Sequence, residues 1–195
     1  MLAAMIDICC GIYPAAPAAL TLVIHDTCDV VHGYQQFSFW NGHHGERRFL
    51  PIQMYDAATG RPVAMLLRTG ETSSDKEAAE RIRRLVRHLR RHWPDTHVII
   101  RGDGHYGCPQ VMAFCEAAGF DYLFNLPTNA ALRADPVIVT TANACAVRRA
   151  EGQHPVLRSY TETRYGAKSW NCQRRVVARI RPVHWAEIAA MLARR

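Results

Sequence analysis

Two apolar runs in this chain each stop at an acid, and that pattern constrains the fold more than any other. Val98-Ile99-Ile100-Arg101-Gly102-Asp103-Gly104 ends at a carboxylate held between glycines, and Leu22-Val23-Ile24-His25-Asp26-Thr27 ends at another. β-Branched residues favour extended backbone and glycine breaks it, so both segments read as strands that present an acid at the C-terminal end. In α/β proteins that end of a sheet is where ligands sit. Two such ends, far apart in sequence, can meet across one sheet and share divalent ions, the raw material of two-metal phosphodiester chemistry.

The rest of the pattern fills in an α/β domain. Residues 2–12 read as a short helix stopped by Pro14 and the Ala-Pro turn at 14–17. Strands are expected near 20–26, 34–40, 48–55 and 62–68, with Gly33, Asn41-Gly42 and Thr59-Gly60 as turn signals. The clearest hairpin joins Ile52-Gln53-Met54-Tyr55 to Val63-Ala64-Met65-Leu66 through Thr59-Gly60. The strongest helix follows: Ser74 and Glu77 spell a capping box, and Ala78, Ile82, Leu85, Val86 and Leu89 recur at helical spacing before Trp93 and Pro94. Its outer face carries Arg81, Arg84, Arg87, His88, Arg91 and His92. Strand 97–101, helix 109–118 and strand 121–126 complete the alternation. Beyond Asn129 a helix near 139–149 precedes strand-like runs near 156–164 and 173–180, and Pro182 to Arg195 reads as a short amphipathic helix.

Composition narrows the class. Hydrophobic residues make up 49% of 195, enough for one sizeable core, so disorder is not the default. The formal net charge of +7 favours a polyanionic partner. Nearly all of that charge is arginine, with only Lys76 and Lys168 as lysines, a bias that an arginine- and alanine-rich codon usage also produces. Seven cysteines without a C-x-x-C pair argue against a structural zinc or a thioredoxin-like centre and fit a reduced cytoplasm. Met1 to Leu20 lacks a basic n-region and is interrupted by Asp7, which excludes a signal peptide, and no apolar run is long enough to span a membrane. No P-loop, dinucleotide fingerprint or Gly-x-Ser-x-Gly elbow is present.

From Leu22 to about Leu132 the chain resembles the catalytic domain of DDE-class insertion-sequence transposases. The resemblance rests on ordered blocks: the Asp26-Thr27 turn followed by Val31-His32-Gly33, then Gln35-Gln36, Arg48-Phe49-Leu50-Pro51-Ile52, Gly60-Arg61-Pro62-Val63-Ala64 and Leu67-Arg68. Arg101-Gly102-Asp103, Cys115-Glu116 and Asp121-Tyr122 follow, and Tyr165 to Arg179 carries a weaker stretch. The resemblance implies an RNase H-like mixed sheet with flanking helices and a β-rich insertion after residue 130. It divides one incomplete domain, 1–195, into a core at 20–130, an insertion region at 131–180 and a tail at 181–195 outside the family pattern.

Transposases of this class hold two divalent ions, Mg2+ or Mn2+, on three carboxylates. The resemblance places the second of these acids on Asp103. The first falls on His25 in the family's alignment, with Asp26 one position on; neighbouring strand residues face opposite ways, so Asp26 reaches the site only if the backbone slips by one. Asp26 and Asp103 are the expected catalytic and metal-binding pair, and Asp29 a supporting group. The family's third acid, a glutamate in a Tyr-x-x-Arg-x-x-x-Glu helix, has no counterpart; Glu151, Glu162 and Glu187 are the acids nearest that part of the chain. Arg84, Arg87, Arg91 and Arg101 are the expected DNA contacts. The implied activity is metal-dependent cleavage and transfer of DNA strands at insertion-sequence ends, in a copy that is degenerate or trimmed. The alternative is a catalytically inactive fragment that binds DNA or pairs with full-length transposase.

Overall fold

In the computed structural model, which describes residues 2–42, 45–70, 75–152 and 158–180, β1 (Ala19–Asp26) forms the centre of a five-stranded sheet. β5 (Ile52–Asp56) runs antiparallel to it and hairpins into β6 (Pro62–Leu66). On the other side β7 (His97–Gly102) and β8 (Asp121–Phe124) run parallel to β1, giving the order β6-β5-β1-β7-β8. This is the expected mixed sheet. Three helices flank it: α1 (Leu2–Ile12), α2 (Asp75–His92) and α3 (Pro109–Ala117). Compact packing divides the chain after Leu126.

Alternation decides which residues the helices cover. Leu20, Leu22 and Ile24 of β1, Ile52 and Met54 of β5, and Val98 and Ile100 of β7 join Ile6 and Cys9 of α1, Ile82, Leu85 and Leu89 of α2 and Val111 and Cys115 of α3 in one buried core. Each fully buried Leu or Ile contributes roughly 1.5–3 kcal/mol through burial. Arg90 closes the C-terminal end of α2 by donating to the carbonyls of Trp93, Pro94 and Thr96 at 3.3, 2.9 and 2.5 Å. Ser74, the expected cap at the other end, lies outside the described residues.

Two strand expectations need correction. The 34–40 strand shrinks to β3 (Phe39–Asn41), because Ser38 turns back on Gln35 through its amide and hydroxyl, and Phe37 takes a left-handed φ of 64°. The single 48–55 strand is two strands, β4 (Glu46–Phe49) and β5, separated at Leu50-Pro51, where proline has no amide to continue a ladder. β4 sits between β2 (Asp29–Val30) and β3 in a separate small sheet. That sheet is fastened by the buried Arg48 guanidinium, which donates to Cys28 Sγ and Glu46, and by Gly70, where a Cβ would lie 2.4 Å from the Arg48 carbonyl oxygen.

Beyond Leu126 lie α4 (Ala130–Arg133), α5 (Pro136–Ala150) and the hairpin β9 (Ser159–Tyr165) with β10 (Arg174–Ile180). α5 starts three residues earlier than its apolar pattern suggests, because Asp135 caps it through the amides of Val137 and Ile138 and Pro136 occupies its first turn. The Asp135 carboxylate also accepts from Thr163 at 2.8 Å, tying helix to hairpin. The closing helix expected at 182–195 lies outside the described residues. No helix among those described is long and apolar enough to cross a membrane, and all seven cysteines are free thiols.

The β5–β6 turn forms around Asp56. Its buried carboxylate accepts from Tyr13 Oη at 2.9 Å, Thr59 Oγ1 at 2.7 Å and the Ala58 amide at 3.1 Å, while Gly60 supplies a φ of 69°. Burial pushes the Asp56 carboxyl upward, but the bonds from Thr59, Ala58 and Tyr13 outweigh it and hold the group below its ordinary value. A depressed folded-state value stabilises the fold above the unfolded carboxylate range, and that contribution is lost as pH falls through the folded value. Asp56→Asn is expected to cost about 1–3 kcal/mol at neutral pH. The gap to wild type should close on acidification below about pH 4. Urea unfolding across a pH series measures this, and a gap that stays constant into acid would contradict it.

Candidate active site

The parallel register of β1 and β7 places Ile24 beside Gly102. One step on, the two chains present His25 and Asp103 to each other, with His25 Nδ1 3.8 Å from Asp103 Oδ2. Both side chains are about half exposed. The other oxygen of Asp103 accepts the His105 amide at 2.9 Å, in a turn closed by the Tyr106 amide on the Asp103 carbonyl. Asp103 is therefore both the turn former that its glycine neighbours suggest and a carboxylate aimed along the strand ends.

Asp26 points the other way. Its Oδ1 accepts the Tyr106 hydroxyl at 2.5 Å, and its Oδ2 lies 3.6 Å from Arg68 Nη1. Tyr106 and Arg68 are both buried. Gly102 makes this possible, since a Cβ there would lie 3.0 Å from the Tyr106 Cβ and within 3.2 Å of its ring. Burial, reinforced by the Asp26 carboxylate, pushes the Tyr106 hydroxyl far above the ordinary phenol range, so it remains a donor. His25 is the residue that stands against Asp103, while Asp26 is engaged by Tyr106 and Arg68. The backbone slip that Asp26 would require is absent, because β1 pairs with β5 without a register shift through Asp26 and Ile52. The Thr27 amide is then fixed on the Pro51 carbonyl at 2.8 Å.

The remaining candidates separate. Arg101 is exposed two positions before Asp103 on β7, and so shares its face of the strand. Arg84, Arg87 and Arg91 lie exposed along α2, where Arg84 bonds Glu80 at 3.2 Å. Asp29 lies on β2, exposed in the small sheet. Glu162 is paired with Arg175 across the β9–β10 hairpin. Glu187 lies outside the described residues. Tyr106 and Arg68 were not singled out as site residues in the sequence. The available signals were the Gly102 position facing the core and the Leu67-Arg68 block.

Donor chemistry sets what these strand ends hold. Mg2+ is bound through oxygen ligands in a near-ideal octahedron, whereas imidazole suits zinc, copper, iron and nickel. His25 and Asp103 offer one imidazole and one carboxylate. They do not form, with Asp26 or any other described residue, a group of three converging ligand atoms. The described residues therefore do not fit a two-magnesium carboxylate centre.

The family model described as Transposase DDE domain group 1 matches residues 1–186. No curated protein matches the chain. Among solved structures, a Mos1 mariner paired-end complex with Mn aligns at 14% identity and a TM-score of 0.40, over 63% of this chain and 40% of that one. The catalytic domain of Mos1 mariner transposase aligns at 13% identity and 0.40, over 78% and 71%. A piggyBac transposase synaptic complex with hairpin DNA aligns at 12% identity and 0.45, over 87% and 34%. The chain thus spans about 40% of the length of the Mos1 chain in the paired-end complex.

The Gly102–Tyr106–Asp26 contact is separable from the exposed pair. Tyr106→Phe removes the donor to Asp26 and should cost about 1–3 kcal/mol in urea unfolding. Gly102→Ala overpacks the same ring and should cost a similar amount, about 1–3 kcal/mol. Both act through one side chain, so the double variant should lose clearly less than the sum. Strict additivity would show that the three residues are not coupled.

Proposed function

Because the chain belongs to the Transposase DDE domain group 1 family, we propose that it is an insertion-sequence transposase catalytic domain in degenerate form, one that engages DNA in the cytoplasm without cleaving it. The observation that carries this is His25 facing Asp103. Members of the family generally depend on divalent metal, and Mg2+ or Mn2+ there activates an attacking oxygen and stabilises a leaving one. In this chain the position across from Asp103 supplies an imidazole, and the Asp26 carboxylate is engaged by Tyr106 and Arg68. Removing an oxygen ligand from such a site weakens ion binding and the alignment of the reacting oxygen together.

DNA engagement is proposed from charge. The +7 net charge is concentrated in arginine, and Arg87, Arg91 and Arg101 are exposed. Contacts of this kind go to phosphates, so binding should lack sequence preference.

Two measurements test the proposal. With millimolar Mg2+ or Mn2+, nicking of supercoiled plasmid should not exceed that of an Asp103→Ala control. Robust cleavage that vanishes in the control would overturn the degenerate reading. His25→Asp should raise Mn2+ affinity at the strand ends. DNA affinity, followed by fluorescence anisotropy, should fall linearly with the logarithm of salt concentration. Arg87→Ala and Arg101→Ala should each reduce that slope by about 1. Binding insensitive to salt would refute the phosphate-contact model.

A further inference from the structure

We propose that Asp7, His88 and His92 form a binding site for a zinc-class divalent ion that fastens α1 to α2. None of the three belongs to the strand-end site. His88 and His92 are one helical turn apart on α2, so their rings stand on the same face. α1 brings Asp7 to them from the start of the chain. His88 Nε2 lies 2.8 Å and His92 Nε2 2.7 Å from the same oxygen, Asp7 Oδ1. The three ligand atoms lie within 4.8 Å of one another, and no other described residues form such a group.

The donor set selects the ion. Two imidazoles and one carboxylate match zinc, which accepts three protein ligands and a water in a tetrahedron, and they disfavour magnesium, which demands oxygen. Zinc holds its nitrogen and oxygen donors at about 2.0–2.2 Å, which sets tetrahedral donors roughly 3.4 Å apart. Asp7 must therefore withdraw from the two rings by roughly 0.6 Å as the ion enters. Its side chain and that of His92 are partly exposed, so side-chain rotation supplies the movement. The backbones stay fixed, because Ile6 and Cys9 on α1 and Leu85 and Leu89 on α2 are buried in the core. Sites on packed helices hold their geometry better than sites on loops.

One neighbour must move. Arg91 Nη1 approaches His88 Nδ1 at 3.5 Å. To ligate through Nε2, the neutral His88 ring carries its proton on Nδ1, which a guanidinium cannot accept. Arg91 is exposed and swings away at little cost. Arg91→Ala should therefore leave zinc affinity unchanged or raise it.

The test uses the full chain stripped of metal with EDTA. Isothermal titration with Zn2+ near pH 7.5 should show one ion bound with micromolar or tighter affinity, and the unfolding midpoint should rise by several degrees. Asp7→Asn and His92→Gln should each weaken binding at least tenfold, with circular dichroism confirming that the exposed substitutions leave the fold intact. Excess Mg2+ should not compete. Co2+ in place of zinc should give visible bands of a nitrogen–oxygen site without the intense near-ultraviolet absorption of thiolate ligation. Thiolate absorption, or zinc affinity unchanged in both variants, would assign the ion to cysteines and overturn the proposal. Absence of zinc binding would reduce the trio to a hydrogen-bonded clasp and overturn it equally.

Discussion

The parallel ladder between β1 and β7 fixes almost everything of chemical interest in this chain. Its register sets Ile24 beside Gly102, and the two-residue period of a strand does the rest. His25 and Asp103 emerge on one face at the strand ends, while Asp26 and Gly102 turn toward the helices. A slip of one residue would exchange the two sets and carry Leu20, Leu22 and Ile24 out of the core. Burial of those side chains is worth several kcal/mol in total. Hydrophobic packing far from the strand ends therefore decides which polar group faces Asp103.

The helix-side face shows how the fold accommodates an acid that the register sends inward. A carboxylate turned toward a core is costly unless it is hydrogen-bonded or paired. Asp26 has both kinds of partner: the Tyr106 hydroxyl at 2.5 Å and the Arg68 guanidinium at 3.6 Å. Tyr106 reaches it only because Gly102 leaves no side chain in the way. The Arg-Gly-Asp sequence thus serves two faces at once. Its glycine makes room for the partner of Asp26, and its aspartate supplies the exposed carboxylate.

Much of this was legible in the sequence. The strand ends at Asp26 and Asp103, the Thr59-Gly60 hairpin, α1 and the arginine-faced α2 follow from local pattern, because apolar periodicity and turn residues act over a few positions. The splitting of 48–55 between two sheets was not, although Pro51 marks the break, because a proline between two extended segments does not reveal that they belong to different sheets. The partnership of Tyr106 with Asp26 was also hidden: the two are 80 residues apart and meet only through the register. His25 shows the opposite case. Strand alternation alone says that His25 and Asp26 face different ways, and only the pairing with β7 says which of them faces Asp103.

The strand-end pair and the helix trio follow from the same scaffold but differ in what they offer a metal. At the strand ends, one imidazole and one carboxylate stand 3.8 Å apart and half exposed. Two donors bring little chelation, and their mixed character suits neither an oxygen-seeking ion nor a closed zinc site. On the helices, a turn of α2 and a turn of α1 converge two imidazoles and a carboxylate on a single point. The core that holds these helices over the sheet has already met the ordering cost of bringing Asp7 to His88 and His92, residues some eighty positions apart. An ion entering there finds its ligands gathered in advance, whereas one at the strand ends must recruit the rest of its shell from water. In this chain, preorganisation for metal lies with the helices rather than with the strand ends.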